Sequence, residues 1–144
     1  MRENGDQIVF RVLNIGIPLL LGLTIYVFLT DDTYISQLFR MCIWDGRGLL
    51  VHPDPHIMRL FRNHLCDMCW SYSMVFCVVW ILGDRPFKLF TGVSVCALFS
   101  VLMEALQLSH AFPGTFDVAD VILEVVSCLM AGMIIYIKLW RKKK

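Results

Sequence analysis

The chain has 144 residues, of which 58 % are hydrophobic and 17 % charged, and its mean hydropathy is +0.66. Soluble domains carry about 25 % charged residues, so an ordinary soluble fold is excluded and one all-helical membrane domain is expected. The net charge is only +1, but Lys138, Arg141, Lys142, Lys143 and Lys144 crowd the C-terminus; a basic tail after an apolar segment fits an anchor against anionic lipid rather than a nucleic-acid surface.

The first apolar run, Ile8 to Leu29, is 22 residues long, enough at ~1.5 Å per residue to cross a hydrocarbon core of ~30 Å. It is longer than a signal-peptide core, and no small-x-small cleavage pattern precedes Asp31, so it is expected to be retained. Pro18 should kink this helix, and Gly16 and Gly22 permit close packing on a neighbour. Residues 30–62 form an expected external loop, in which Tyr34 to Trp44 is amphipathic enough to lie along the membrane surface and His52-Pro53-Asp54-Pro55 breaks the chain.

Asp67 to Leu82 is too short an apolar run to span the bilayer alone, so the second helix is expected over about 63–82, which draws Asn63, His64 and Asp67 into it. Gly83-Asp84-Arg85-Pro86 ends it, and a third helix is expected over 87–108. The turn His110 to Thr115 follows, then a fourth helix over about 117–140. Nine of the thirteen basic residues (Arg2, Arg11, Arg85, Lys88 and the five of the tail) fall on one side, which makes that side the cytoplasm and places both termini there. The fold expected is an integral membrane four-helix bundle, N-in and C-in.

Five of the six cysteines, Cys66, Cys69, Cys77, Cys96 and Cys128, lie in or beside apolar helices, where a free thiol serves as a small hydrophobe. Cys66-x-x-Cys69 has the redox spacing, but lacks the second pair of a structural zinc site.

The acids within the spans all fall near one face, because helix two begins there, helix three ends there and helix four begins there. Ala97, Ser100, Glu104 and Gln107 form one small-and-polar stripe of helix three; Asp117, Asp120, Glu124 and Cys128 form another on helix four. Such stripes face protein or trapped water, since an acid at mid-bilayer costs at least about 2.5 kcal/mol. Asp117 and Asp67 also suit helix N-termini, as cap and first-turn acid, whereas Glu104 and Glu124 lie too deep for capping. Glu104 and Asp120 are expected at one depth, with Glu124 a turn deeper. No Lys or Arg of helices two to four stands at that depth, so the acids must share a proton or hold a cation. His64, His110 and Arg62 read as interfacial.

Glu104-Ala-Leu-Gln107, then Gly114-Thr-Phe-Asp117-Val-Ala-Asp120, with Ser127, Ala131 and Gly132 beyond, resembles the VanZ-like family of small bacterial membrane proteins, and Asp67-x-x-Trp70-x-Tyr72 looks like that family's entry to the preceding span. The chain departs from the family pattern at Pro113-Gly114-Thr115, where an Arg is frequent, and at Glu124, where an Asn is frequent. The resemblance implies a protein of the bacterial cytoplasmic membrane and cell envelope, in a family whose founding member is linked to glycopeptide antibiotic resistance. That family has no settled biochemical activity, and the leading reading is a module that is non-enzymatic or of unproven enzymatic activity, with no cofactor and no catalytic residue assigned. Asp67, Glu104, Gln107, Asp117, Asp120 and Glu124 would bind an envelope component at the outer leaflet, such as a lipid-linked cell-wall precursor or a glycopeptide-like or cationic antibiotic. Membrane lipid is the expected partner, with a homo-oligomer as a further possibility. Two alternatives stand beside it. One is a membrane-embedded metal-dependent hydrolase or transferase, with carboxylates and His64 around the ion, although no HExxH, nucleophile elbow or arginine-rich phosphate signature is present. The other is a proton- or cation-coupled transporter acting as an oligomer.

Overall fold

The computed structural model describes residues 5–29, 64–83, 85–108 and 116–140. These form four helices and no strand: α1 (Gly5–Leu29), α2 (Cys66–Leu82), α3 (Pro86–Leu108) and α4 (Val118–Trp140). The expected external loop with its amphipathic segment Tyr34 to Trp44, the turn His110 to Thr115 and the basic tail after Trp140 lie outside the described residues. Stretches Gly5–Ile25, Pro86–Leu108 and Val118–Lys138, with mean hydropathies of 2.1, 2.0 and 2.2, are long and apolar enough to cross a membrane. The chain is therefore a membrane protein. α2 is shorter, at 17 residues.

Helix ends follow local chemistry. α1 begins at Gly5, before the apolar run, with Asp6 in its first turn, where the positive end of the helix dipole favours an acid. A π-type turn at His64–Leu65 leads into α2, and no side chain caps it at Leu65. α2 stops at Gly83, whose φ of 91° suits glycine and whose N–H donates to the Val79 carbonyl at 2.9 Å. The Lys88 ammonium donates to the Leu82 carbonyl across the same turn, and Pro86 opens α3, where its missing N–H is no loss.

α2 packs against all three other helices, and α3 also packs on α4. The contacts fix the relative directions. Tyr72 donates to Asn14 at 2.6 Å, Ser73 donates to the Ile15 carbonyl at 3.2 Å, and Phe10 meets Phe76 edge-on at 5.9 Å, so α1 and α2 are antiparallel. Ser71 pairs with Ser100 at 3.2 Å and Val79 packs on Gly92, so α3 is antiparallel to α2. His64 meets Asp120 and Ser71 meets Cys128, so α2 and α4 run the same way.

Small residues let these backbones approach, as packing in lipid requires. A Cβ on Gly92 would stand 2.7 Å from Val79 Cγ2, and one on Gly132 would stand 2.6 Å from Val93 Cγ2. Both are contacts that only glycine allows. Val75, Phe76, Val79, Leu89, Cys96, Cys128, Ala131 and Ile135 fill the centre. Arg11, grouped by sequence with the cytoplasmic-side charges, is buried at 3 % exposure inside α1, its guanidinium 5.7 Å from the Trp80 ring centre. At the same end the Lys138 ammonium lies 5.2 Å from the Phe10 ring.

Candidate functional site

The directions of α2, α3 and α4 bring the start of α2, the end of α3 and the start of α4 to one end of the molecule. His64 and Asp67 arrive from α2, Glu104 and Gln107 from α3, and Asp117, Asp120 and Glu124 from α4.

Asp117 is exposed and serves as the N-cap of α4: its carboxylate accepts from the Ala119 N–H at 2.8 Å and its carbonyl accepts from Asp120 N–H at 3.1 Å. That is the capping role its position after a Pro-Gly turn suggests. Glu104, 4 % exposed, reaches across from α3, and one of its oxygens accepts from the Asp117 N–H at 3.5 Å. The bond is long, but it turns a carboxylate of α3 toward the positive end of the α4 dipole. Gln107, on the last turn of α3, is half-buried at the rim.

Asp120 and His64 form an ion pair at this end: Nδ1 of His64 meets Oδ1 of Asp120, with side chains only 17 % and 12 % exposed. The pair is ionic when the imidazole carries a proton. Asp67, half-buried on the first turn of α2, lies within electrostatic range of Glu124, Asp120, Glu104 and His64. Glu124, 9 % exposed, sits deepest, with the hydroxyls of Ser100 and Ser71 beside its carboxylate. Ser71 and Ser100 are themselves 1 % and 3 % exposed and bonded to one another. Below them the Cys128 thiol lies 3.9 Å from the Ser71 carbonyl, and the apolar centre closes the path.

Chemically, five carboxylates (Asp67, Glu104, Asp117, Asp120 and Glu124), four of them at least partly buried and Asp117 exposed, share this end with one imidazole among the described residues. The surplus negative charge suits a cation or a group rich in hydroxyl and amine donors. Among the described residues no set of three His, Cys, Asp or Glu side chains is placed to hold a metal ion.

Ser71 has no place in the sequence reading, Ser100 has one only on a stripe, and His64 only as an interfacial residue or as a ligand in the alternative metal site. His64, Asp67 and Ser71 recur at spacings of three and four and so share a face of α2 and the turn that leads into it. That periodicity, applied to α2 as it was to α3 and α4, finds both His64 and Ser71. Ser100 was on the named stripe of α3 but without a role; the Ser71 hydroxyl and the Glu124 carboxylate give it one.

No family model matches the chain, and no solved structure matches it. Over 89 residues it is 33 % identical to the alkylcitrate synthase phiJ of Fungal sp. (strain ATCC 74256), a stretch that covers 56 % of this chain and 16 % of that protein. The chain thus spans about a sixth of the length of the curated relative it matches.

Proposed function

We propose that this protein is a four-helix, VanZ-like membrane bundle, N-in and C-in, whose acidic end faces outward and binds the amine-bearing or hydroxyl-rich head of an envelope component. The single observation that carries the reading is the charge imbalance at the shared end of α2, α3 and α4. Asp67, Glu104, Asp120 and Glu124 converge there and, among the described residues, His64 alone opposes them, while the two lysines of these helices, Lys88 and Lys138, stand at the opposite end. Buried like charges repel strongly at low dielectric, so a cationic or strongly donating ligand lowers the energy of this arrangement. Within a bacterial envelope, a cationic antibiotic or an amine-bearing cell-wall precursor has that chemistry. The cytoplasmic assignment of the termini is supported by the Lys and Arg bias toward the other end.

The test is a titration of spermine, as a plain polycationic probe, into protein held in nanodiscs of zwitterionic lipid. Saturable binding that weakens at least about tenfold, or about 1.4 kcal/mol, in the Glu104→Gln/Asp120→Asn double variant is expected. Equal binding by the native and double-variant proteins would remove the support for a cation-selective pocket.

A further inference from the structure

One motif is not absorbed by the acidic end. α1 and α2 leave an open groove of about 330 Å³ lined by Pro18, Leu19, Leu23 and Trp70 and by both cysteines of Cys66-x-x-Cys69. The cysteines stand three residues apart on α2 and so share a face. At that helical spacing their Cα atoms are about 5 Å apart, inside the span of about 4.4–6.8 Å that a disulfide bridges. Both are free thiols, and both rest against a point where α1 has no side chain: Cys66 Sγ lies 3.7 Å from the Gly22 carbonyl oxygen, and a Cβ on Gly22 would be 3.4 Å from the Cβ of Cys69. Cys96 and Cys128, by contrast, are wholly enclosed in the apolar centre.

The groove also selects what can react there. It lies within the apolar stretch Gly5–Ile25 of α1, and its neighbours Leu20, Leu23 and Trp70 are 64 %, 50 % and 58 % exposed, a surface that meets lipid. A water-borne disulfide would have to enter an apolar cleft to reach the thiols. A flat, lipid-dissolved oxidant needs only to diffuse sideways, and the Trp70 ring offers it a stacking wall.

We propose that Cys66 and Cys69 form a dithiol–disulfide site that exchanges electrons with a membrane quinone held in the α1–α2 groove. The two thiols lose two protons and two electrons and form one S–S bond; the quinone takes up both and becomes the hydroquinone. The reverse step reduces the disulfide with the hydroquinone as donor.

The test uses the full chain in phosphatidylcholine nanodiscs and duroquinone, a fully substituted benzoquinone that thiols cannot alkylate. Intact mass and the number of maleimide-reactive thiols in the denatured protein are read after exposure. A mass lower by two hydrogens and the loss of two reactive thiols of the six are expected, with neither change in Cys66→Ser or Cys69→Ser. Quenching of Trp70 fluorescence by duroquinone, kept in the Cys66→Ser/Cys69→Ser double variant and lost in Trp70→Phe, reports occupancy of the groove without the chemistry and shows that the double variant is folded. The proposal is overturned if the native mass is unchanged, if the two-hydrogen loss persists in Cys66→Ser, or if oxidised glutathione closes the bridge as fast as the quinone does. None of these readings depends on the acidic end.

Discussion

The bundle that carries the acids depends on how closely α3 and α4 approach, and Gly132 against Val93 is a point where they are tight. An alanine there places its Cβ 2.6 Å from Val93 Cγ2, and Val93 is β-branched, held by its helix to one preferred rotamer, so the methyl cannot swing away cheaply. Overpacking of this kind costs about 1–3 kcal/mol, while replacing a mid-helix glycine by alanine returns up to about 1 kcal/mol of helix propensity. Gly132→Ala should therefore destabilise the protein by about 1–2 kcal/mol. Gly16 is the control: nothing stands within 4 Å of its Cβ position, so Gly16→Ala should be neutral or stabilising by up to about 1 kcal/mol. Val93→Ala removes the clashing atom, and the Gly132→Ala/Val93→Ala pair should show a favourable coupling of about 1–2 kcal/mol in a double-mutant cycle. Denaturant unfolding in mixed micelles measures all of these. If Gly132→Ala matches Gly16→Ala in stability and shows no coupling to Val93, the close approach of α3 and α4 is wrong.

Other predictions concern the acidic end and the topology. A double-mutant cycle of His64→Ala and Asp120→Asn should return a coupling of about 1.5–3 kcal/mol, the range of charge-assisted hydrogen bonds; two additive single effects would show that the pair is not formed. Glu124→Gln keeps an acceptor beside the Ser71–Ser100 pair and should be tolerated, whereas Glu124→Leu leaves the pair only its mutual bond and one hydroxyl donor without an acceptor, and should cost about 1–3 kcal/mol in the same unfolding assay; equal stability of the two variants would contradict the buried network. In intact cells Cys42 should label from outside, and a cysteine placed at Lys143 only after permeabilisation; the reverse pattern would put the acidic end in the cytoplasm.

The helices were legible because an apolar run of about 20 residues has few fates other than a span, and because Gly83 and Pro86 punctuate the α2–α3 turn in ways φ and a missing N–H make definite. Glu104 and Glu124 were legible for a related reason: a carboxylate two turns inside an apolar helix has to face a neighbour. The side chains that answer them were not. Ser71 and Ser100 carry no charge and pass in a sequence for small packing residues, and only the antiparallel register of α2 and α3 sets them opposite one another. His64 stands at the edge of the apolar run, where interfacial exposure and a cross-helix ion pair look alike until α4 is placed beside α2. Arg11 shows the limit of counting charges by side: its distance from the N-terminus assigns it to a surface, but its aliphatic stem and the Trp80 ring bring it inside the helix pack.

The convergence of α2 and α4 at the acidic end is tested most directly by the distance between the His64 imidazole and the Asp120 carboxyl in lipid. Magic-angle-spinning NMR of reconstituted protein carrying 15N-histidine and 13C-aspartate reads it as a nitrogen–carbon dipolar coupling. One of the four histidines should show strong coupling of its Nδ1 to an aspartate Cγ, and Asp120→Asn, which removes the label from that position, should abolish it. No strongly coupled histidine, or a coupling that survives Asp120→Asn, would contradict the shared end on which the proposed pocket stands.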